Sequence, residues 1–243
     1  DMEDLKKALE ESAGSCRRVI IVTDGIFSMR GDHAPLDAIA GLAREYDSRF
    51  PENVLLLVDD SHGVGAFGKT GRGTEEVTGA EGVDLLVATL GKALGVNGGY
   101  VVTRSSVVAY LREKAPFYIY SNPITVAEAA AALRSLEILD GPEGRERLKT
   151  LKDRARQFRS GLDRLGYETL PGEHPVVPLM VRDTGRTRAL VQHLRENGVL
   201  ATGLSYPVVP RGDEEIRFQI TADHTLADID FVLEQIQAFK RRV

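Results

Sequence analysis

"VLLLVDDSHGVGAFGKTGRG", residues 54–73, decides the fold. Val54 to Val58 are consecutive apolar residues, too few for a helix and without polar alternation, so they read as a strand covered on both faces. The run stops at Asp59-Asp60, and the stretch from Ser61 to Gly73 is too polar and too glycine-rich to be a regular element. Ligands of open α/β sheets bind where such strands end, at their carboxyl edge. Asp59 and His62, in the first turn of the loop, can aim both side chains at one ligand there.

Working outward, strand and helix patterns alternate. Val19 to Thr23 is a β-branched run that breaks at Asp24-Gly25 and reads as a buried strand. Pro35 is placed as a first helical residue, with Leu36, Ile39, Ala40 and Ala43 on one face. Val83–Thr89 and Tyr100–Thr103 give two more strands, Ser105 caps a helix to about Lys114, and an alanine-rich segment runs from Pro123 to Leu139. The pattern predicts a mainly parallel sheet with helices on both faces. "DGPEG", residues 140–144, marks a domain boundary, dividing the chain into 1–140 and 141–243. Beyond it come a charged helix near 145–165 that stops at Gly166, a strand at Val176–Val181, and then helix, strand, strand and helix at 186–197, 199–206, 215–221 and 225–241. In the last, Leu226, Ile229, Leu233 and Ile236 form one apolar stripe. This second part reads as a small C-terminal α/β domain.

Composition narrows the partners. A net charge of −5 leaves no extended basic surface for nucleic acid or anionic lipid, which points to small molecules or other proteins. No apolar stretch approaches a membrane span. The single cysteine, Cys16, excludes an intrachain disulfide and fits a reducing compartment, so a cytoplasmic location is expected. The start, "DMEDLKKALEES", is acidic and amphipathic, unlike a signal sequence, and lacks an initiator Met; the chain is expected to begin inside a larger protein.

The chemistry centres on a second stretch, "VATLGKALGVNGGY", residues 87–100. Lys92 lies three residues past a strand, among glycines, which puts its ammonium near the mouth of the sheet. Alone it would read as a solvated loop lysine. Gly63, Gly65 and Gly68 spell G-x-G-x-x-G, but an Asp-Asp-Ser-His insertion separates them from the strand and "KTGRGTEEVTG" has no apolar helical face, so a dinucleotide site is not expected. His33, His174, His193 and His224 show no ligand spacing, and no metal is expected. An amine, a carboxylate and an imidazole together suit pyridoxal 5′-phosphate (PLP): the aldehyde takes a Lys amine, and a carboxylate keeps the pyridine nitrogen protonated. Thr89 offers a hydroxyl for the phosphate.

The sequence resembles the α-oxoamine synthases, a branch of the aspartate-aminotransferase-like (fold type I) PLP-dependent transferases. The matching runs are "DGIFSMRGDHAPL", "LLVDDSHGVGAFGKTGRG", "DLLVATLGKALG", "GGY", "YIYSNP", "YPVVPRG" and "IRFQITADHT", spread over almost the whole chain. The resemblance implies that Lys92 is the Schiff-base lysine and moves the substrate's α-proton, that Asp59 holds the pyridinium nitrogen and His62 the ring's phenolic oxygen. It further implies that Ser28 lies beside the ring, that Thr89 binds the phosphate, that Ser121 reaches the phosphate of a neighbouring subunit in a homodimer, and that Arg217 clamps the amino acid's carboxylate. A long N-terminal stretch of the family pattern, with a phosphate-binding loop and a ring-stacking histidine, is absent here. The large domain is therefore expected to be incomplete and the piece inactive alone.

The implied reaction joins an amino acid to an acyl-CoA with release of CoA. The runs "YSNP", "VDDSHGVG" and "YPVVPRG" look closest to the glycine C-acetyltransferase (2-amino-3-ketobutyrate CoA ligase) branch, with glycine and acetyl-CoA as substrates. The 8-amino-7-oxononanoate synthase branch, using alanine and a pimeloyl thioester, stands second. An aminotransferase or lyase on the same fold and a silent partner subunit are the readings outside the family.

Overall fold

A computed structural model describes residues 1–241, which group into two compact units. Residues 1–26 and 33–145 form the first; residues 27–32 belong with the second, which takes up again at Glu146. The division thus lies a few residues beyond the expected 140/141 break, inside the first turns of a helix, and the short 27–32 segment crosses over against its place in sequence.

The first unit runs α1 (Met2–Ser12), β1 (Arg18–Asp24), α2 (Leu36–Asp47), β2 (Asn53–Asp59), α3 (Thr74–Thr78), β3 (Leu85–Thr89), β4 (Gly99–Thr103), α4 (Ser105–Lys114), α5 (Pro116–Ile119) and α6 (Val126–Asp140). Its sheet has the order β1-β2-β3-β4. The first three strands are parallel and in register, Asp24 opposite Asp59 and Asp59 opposite Val87, so their carboxyl ends form one edge. β4 runs antiparallel to β3. The nine residues 90–98 between them cannot hold a crossover helix, which a parallel return requires.

On one face, Leu36, Ile39, Ala40 and Ala43 of α2 and Leu9 of α1 pack on Ile21, Val54, Leu56 and Val58. On the other, Ile20 and Val22 are 54% and 67% exposed among the described residues, so β1 is covered on one side only, against the expectation of a buried strand. α6 opens with a capping box in which Thr125 accepts from the Glu128 N–H and the Glu128 carboxylate accepts from Thr125. Pro35 is the residue before α2 rather than its first helical one. The polar "TEEVT" does form a short helix, α3, but it begins after the last glycine of the loop.

The second unit carries α7 (Pro142–Arg164), β5 (Glu168–Thr169), β6 (Val176–Met180), α8 (Thr184–Glu196), β7 (Thr202–Leu204), β8 (Glu215–Gln219) and α9 (Leu226–Lys240). Its sheet is antiparallel, in the order β5-β6-β8-β7. Val177 and Leu179 of β6 and Ile216 and Phe218 of β8 face a core built with Phe158, Leu162, Leu190, Leu194, Ile229, Leu233 and Ile236. Leu226 of the predicted stripe is 54% exposed, and Phe239, one turn beyond Ile236, is buried in its place. The alternation of a strand then forces Glu215, Arg217 and Gln219 onto the opposite face. No described helix is long and apolar enough to cross a membrane.

Candidate active site

The parallel register brings Asp24 and Asp59 side by side at the carboxyl edge of the first unit. Asp59 is half-buried, and its Oδ1 accepts the Ser61 N–H at 3.0 Å, which fixes the carboxylate at the start of the loop. Asp24 was not singled out in the sequence. Its carboxyl is raised above the usual aspartate range, chiefly by burial, next by the charge of Asp59, with the ammonium of Lys92 pulling the other way. Asp24, Asp59 and Lys92 thus share one electrostatic neighbourhood.

Lys92 is exposed because its neighbours are not. Leu90, Leu94 and Val96 are buried with Ala132 of α6, and Ser135 donates to the Leu94 carbonyl at 3.0 Å. The loop closes on itself through Leu90 N–H to Gly98 O and Val96 N–H to Leu90 O, both 2.9 Å. Gly95 and Gly98 make those turns at φ of 67° and 108°, where a side chain would be strained. The lysine is left projecting from a braced frame, and among the described residues its amine makes no hydrogen bond or ion pair.

Thr89, at the end of β3, donates its hydroxyl to Gly98 O at 3.1 Å and accepts from Gly91 N–H at 3.0 Å. Its one proton is therefore committed to closing the lysine loop, and a phosphate contact there would require the hydroxyl to turn. Ser61, missed in the sequence, accepts the Thr89 N–H at 2.9 Å and ties the Asp59–His62 turn to β3. A β-carbon on Gly65 would stand 2.5 Å from that of Ala93, so the glycine lets the loop lie against the residue next to Lys92. His62 is half-buried in this loop.

Asp60 does a different job from Asp59. It is 1% exposed, and its carboxylate accepts the Thr74 N–H at 2.6 Å and the Thr74 hydroxyl at 2.7 Å. Burial raises its pKa, against the lowering effect of those donors. Gly25, Gly63 and Gly73 surround it, and a β-carbon on each would fall 2.0–2.1 Å from a carboxylate oxygen. These three glycines seat an internal acid; of the G-x-G-x-x-G glycines Gly63 alone serves it, while Gly65 lies against Ala93 and Gly68 against the Glu76 carboxylate. Strand alternation was the available signal: of two adjacent aspartates at a strand end, one faces out and one in.

Ser121 is exposed and donates to the Phe117 carbonyl. Phe117 and Tyr120 beside it are 89% and 87% exposed. Ser28 and Arg217 lie in the second unit, Ser28 in the 27–32 segment and Arg217 on β8 opposite Pro178 and Thr202. Arg217 is partly exposed, and among the described residues its guanidinium has no hydrogen-bond or ion-pair partner. No group of three His, Cys, Asp or Glu among the described residues could hold a metal ion.

As a donor set, an unpaired amine on a rigid loop, a fixed carboxylate on the neighbouring strand and an imidazole on the tethering turn fit a PLP ring. The fold is that of known proteins. The chain is 40% identical over 244 residues to the 8-amino-7-oxononanoate synthase of Thermosipho melanesiensis, covering all of this chain and 60% of the relative. It is 39% identical over 245 residues to the 2-amino-3-ketobutyrate coenzyme A ligase of Escherichia coli, of which 58% is covered. A solved structure of SPT with a PLP internal aldimine superposes with a TM-score of 0.90 at 30% identity, over all of this chain and 59% of that one. The chain therefore spans about three-fifths of the length of the relatives it matches. The model of the aminotransferase class I and II family matches residues 1–236, and the chain belongs to that family.

Proposed function

We propose that the chain is part of a PLP-dependent acyltransferase of the α-oxoamine synthase kind, which condenses an amino acid with an acyl-CoA and releases CoA. The observation that carries this reading is the unpaired Lys92 amine at the same sheet edge as the fixed Asp59 carboxylate. The relatives support a condensation of this type.

When bound, PLP supplies an electron sink for charge developing at the amino acid's α-carbon. Lys92 would hold the cofactor through Nζ and, as a free amine, would take up the α-proton at the same atom. Asp59 keeps the proton on the pyridine nitrogen, and His62 hydrogen-bonds the ring's phenolic oxygen. Ser28 would contact the ring; Thr89, once its hydroxyl turns from Gly98 O, and Ser121 from a second copy would bind the phosphate. Arg217, without an ion-pair partner among the described residues, would take the substrate carboxylate in a bidentate grip and so set which α-bond is broken.

Glycine and acetyl-CoA are the proposed substrates, with alanine and a pimeloyl thioester second; relatives of both kinds match at nearly equal identity. The protein is proposed to work as a cytoplasmic homodimer, without nucleic acid or membrane. Borohydride reduction of the PLP-loaded full-length protein, followed by peptide mapping, is expected to label Lys92. A label elsewhere, or none, overturns the reading. From the full-length protein that contains this chain, thiol release is expected with glycine plus acetyl-CoA, and turnover only with alanine plus the pimeloyl thioester would reassign the substrates. Amino-group transfer without dependence on any acyl-CoA would place it among the aminotransferases.

A further inference from the structure

Glu215 is an unusual neighbour for an anion-binding arginine. It lies two residues before Arg217 on β8, so the two side chains leave the same face of the strand, opposite the one that packs the core. Facing Glu215 across the sheet are Met180 of β6 and Leu204 of β7, neither of which can accept or donate a proton. The residue is 2% exposed, and its Oε1 is buried without a hydrogen-bond partner. Buried polar atoms are nearly always satisfied, so an orphan beside an unpaired guanidinium calls for an account.

We infer that Glu215 is a positioning residue for Arg217, a carboxylate that competes with the substrate's own carboxylate for the guanidinium and is neutralised by taking up a proton when substrate binds. This rests on the proposed role of Arg217 as the substrate clamp. The charged groups around Glu215 are Arg217 on its own strand, Arg30 and Asp32 from the 27–32 segment, and Asp213 from the turn before β8. Burial is the largest influence and pushes the carboxyl up to about 7; the two arginines oppose that rise, while Asp213 and Asp32 add to it. Glu215 is therefore poised between its charged and neutral forms near neutral pH. Ionised, it screens Arg217 and repels a second carboxylate. Protonated, it leaves the arginine's charge to the ligand. Linkage demands the converse, that a bound carboxylate beside Glu215 favours its protonated form.

Two measurements test this. In the protein with ¹³C-labelled glutamate, assigned by its loss in Glu215→Gln, the Glu215 carboxyl is expected to titrate near 7 and to move upward in Arg217→Gln. A midpoint in the ordinary glutamate range, or one that ignores Arg217→Gln, overturns the inference without touching the PLP reading. Glycine binding to the PLP-loaded protein is then followed by calorimetry at pH 7.5 in two buffers of different ionisation heat. Wild type is expected to take up appreciably more protons than Glu215→Gln, by as much as about three-quarters of a proton given a free carboxyl near 7. Equal uptake in the two proteins overturns the inference. If Arg217→Gln binds glycine as tightly as wild type, the clamp itself is wrong and the inference falls with it.

Discussion

The Asp60 seat can be tested by a double-mutant cycle. In Gly63→Ala the new β-carbon would stand 2.1 Å from Asp60 Oδ1 and 2.6 Å from both Cγ and Oδ2, its three nearest atoms. Gly63 does not occupy the left-handed region, so the clash is the whole penalty, about 1–3 kcal/mol for overpacking a filled interior. Asp60→Ala removes the acceptor for the Thr74 N–H and hydroxyl and leaves two buried donors unpaired, at about 1–3 kcal/mol each. It also removes the three atoms nearest to the Gly63 β-carbon. In the Asp60→Ala background, Gly63→Ala should therefore cost close to nothing, giving a coupling of about 1–3 kcal/mol between the positions. The assay is urea unfolding of the four proteins, read as midpoint at constant slope. Additive effects would refute the seat, because the glycine would then be needed for a reason unrelated to Asp60.

Raising the pH should weaken the fold of the second unit through Glu215. Its folded-state pKa is raised from 4.5 to about 7, so its contribution is intact below pH 4.5, declines between 4.5 and 7 and is lost above, by about 3 kcal/mol at 1.36 kcal/mol per unit; Glu215→Gln should abolish that decline, and hydrogen exchange of β8 amides compared between the two proteins at each pH will show it. Lys92→Met should raise the Asp24 carboxyl further and Asp59→Asn should lower it, as measured by ¹³C titration; shifts of the same sign would deny the shared neighbourhood. Thr225→Ala removes the oxygen that accepts the Asp228 N–H at the start of α9 and should cost about 1 kcal/mol in thermal unfolding.

The features legible in the sequence are the local ones. Val54 to Val58 and Leu85 to Thr89 announce strands because each run is apolar and ends in glycine or acid, and Asp59 and Lys92 follow from their distance past those ends. The antiparallel turn of β4 was legible too, since residues 90–98 are too few for a crossover, but only once strand direction is asked as a question of length. Other features depend on partners far along the chain. Nothing in "SMRGDH" says that residues 27–32 join the second unit, where Gly31 lies so close to the Val176 carbonyl that a β-carbon would come within 2.4 Å of its oxygen. Nor does "GDEEIRF" distinguish the solvated surface acid it suggests from the 2% exposed Glu215, because the cover comes from elsewhere.

Several cations of this chain sit in ion pairs, whereas Lys92 and Arg217, like other described cations, have none among the described residues. Arg17 and Arg18 share Glu52, Arg72 holds Asp140, Arg104 holds Asp84, and Arg182 bridges Glu168 and Asp213. Such exposed pairs are worth little energetically. Lys92 and Arg217 have acids in their fields, Asp24 for the one and Glu215 for the other, and yet touch neither. Holding a carboxylate within electrostatic range but out of contact keeps the cation available and lowers the cost of desolvating it, whereas a formed ion pair would have to be broken before any ligand could bind.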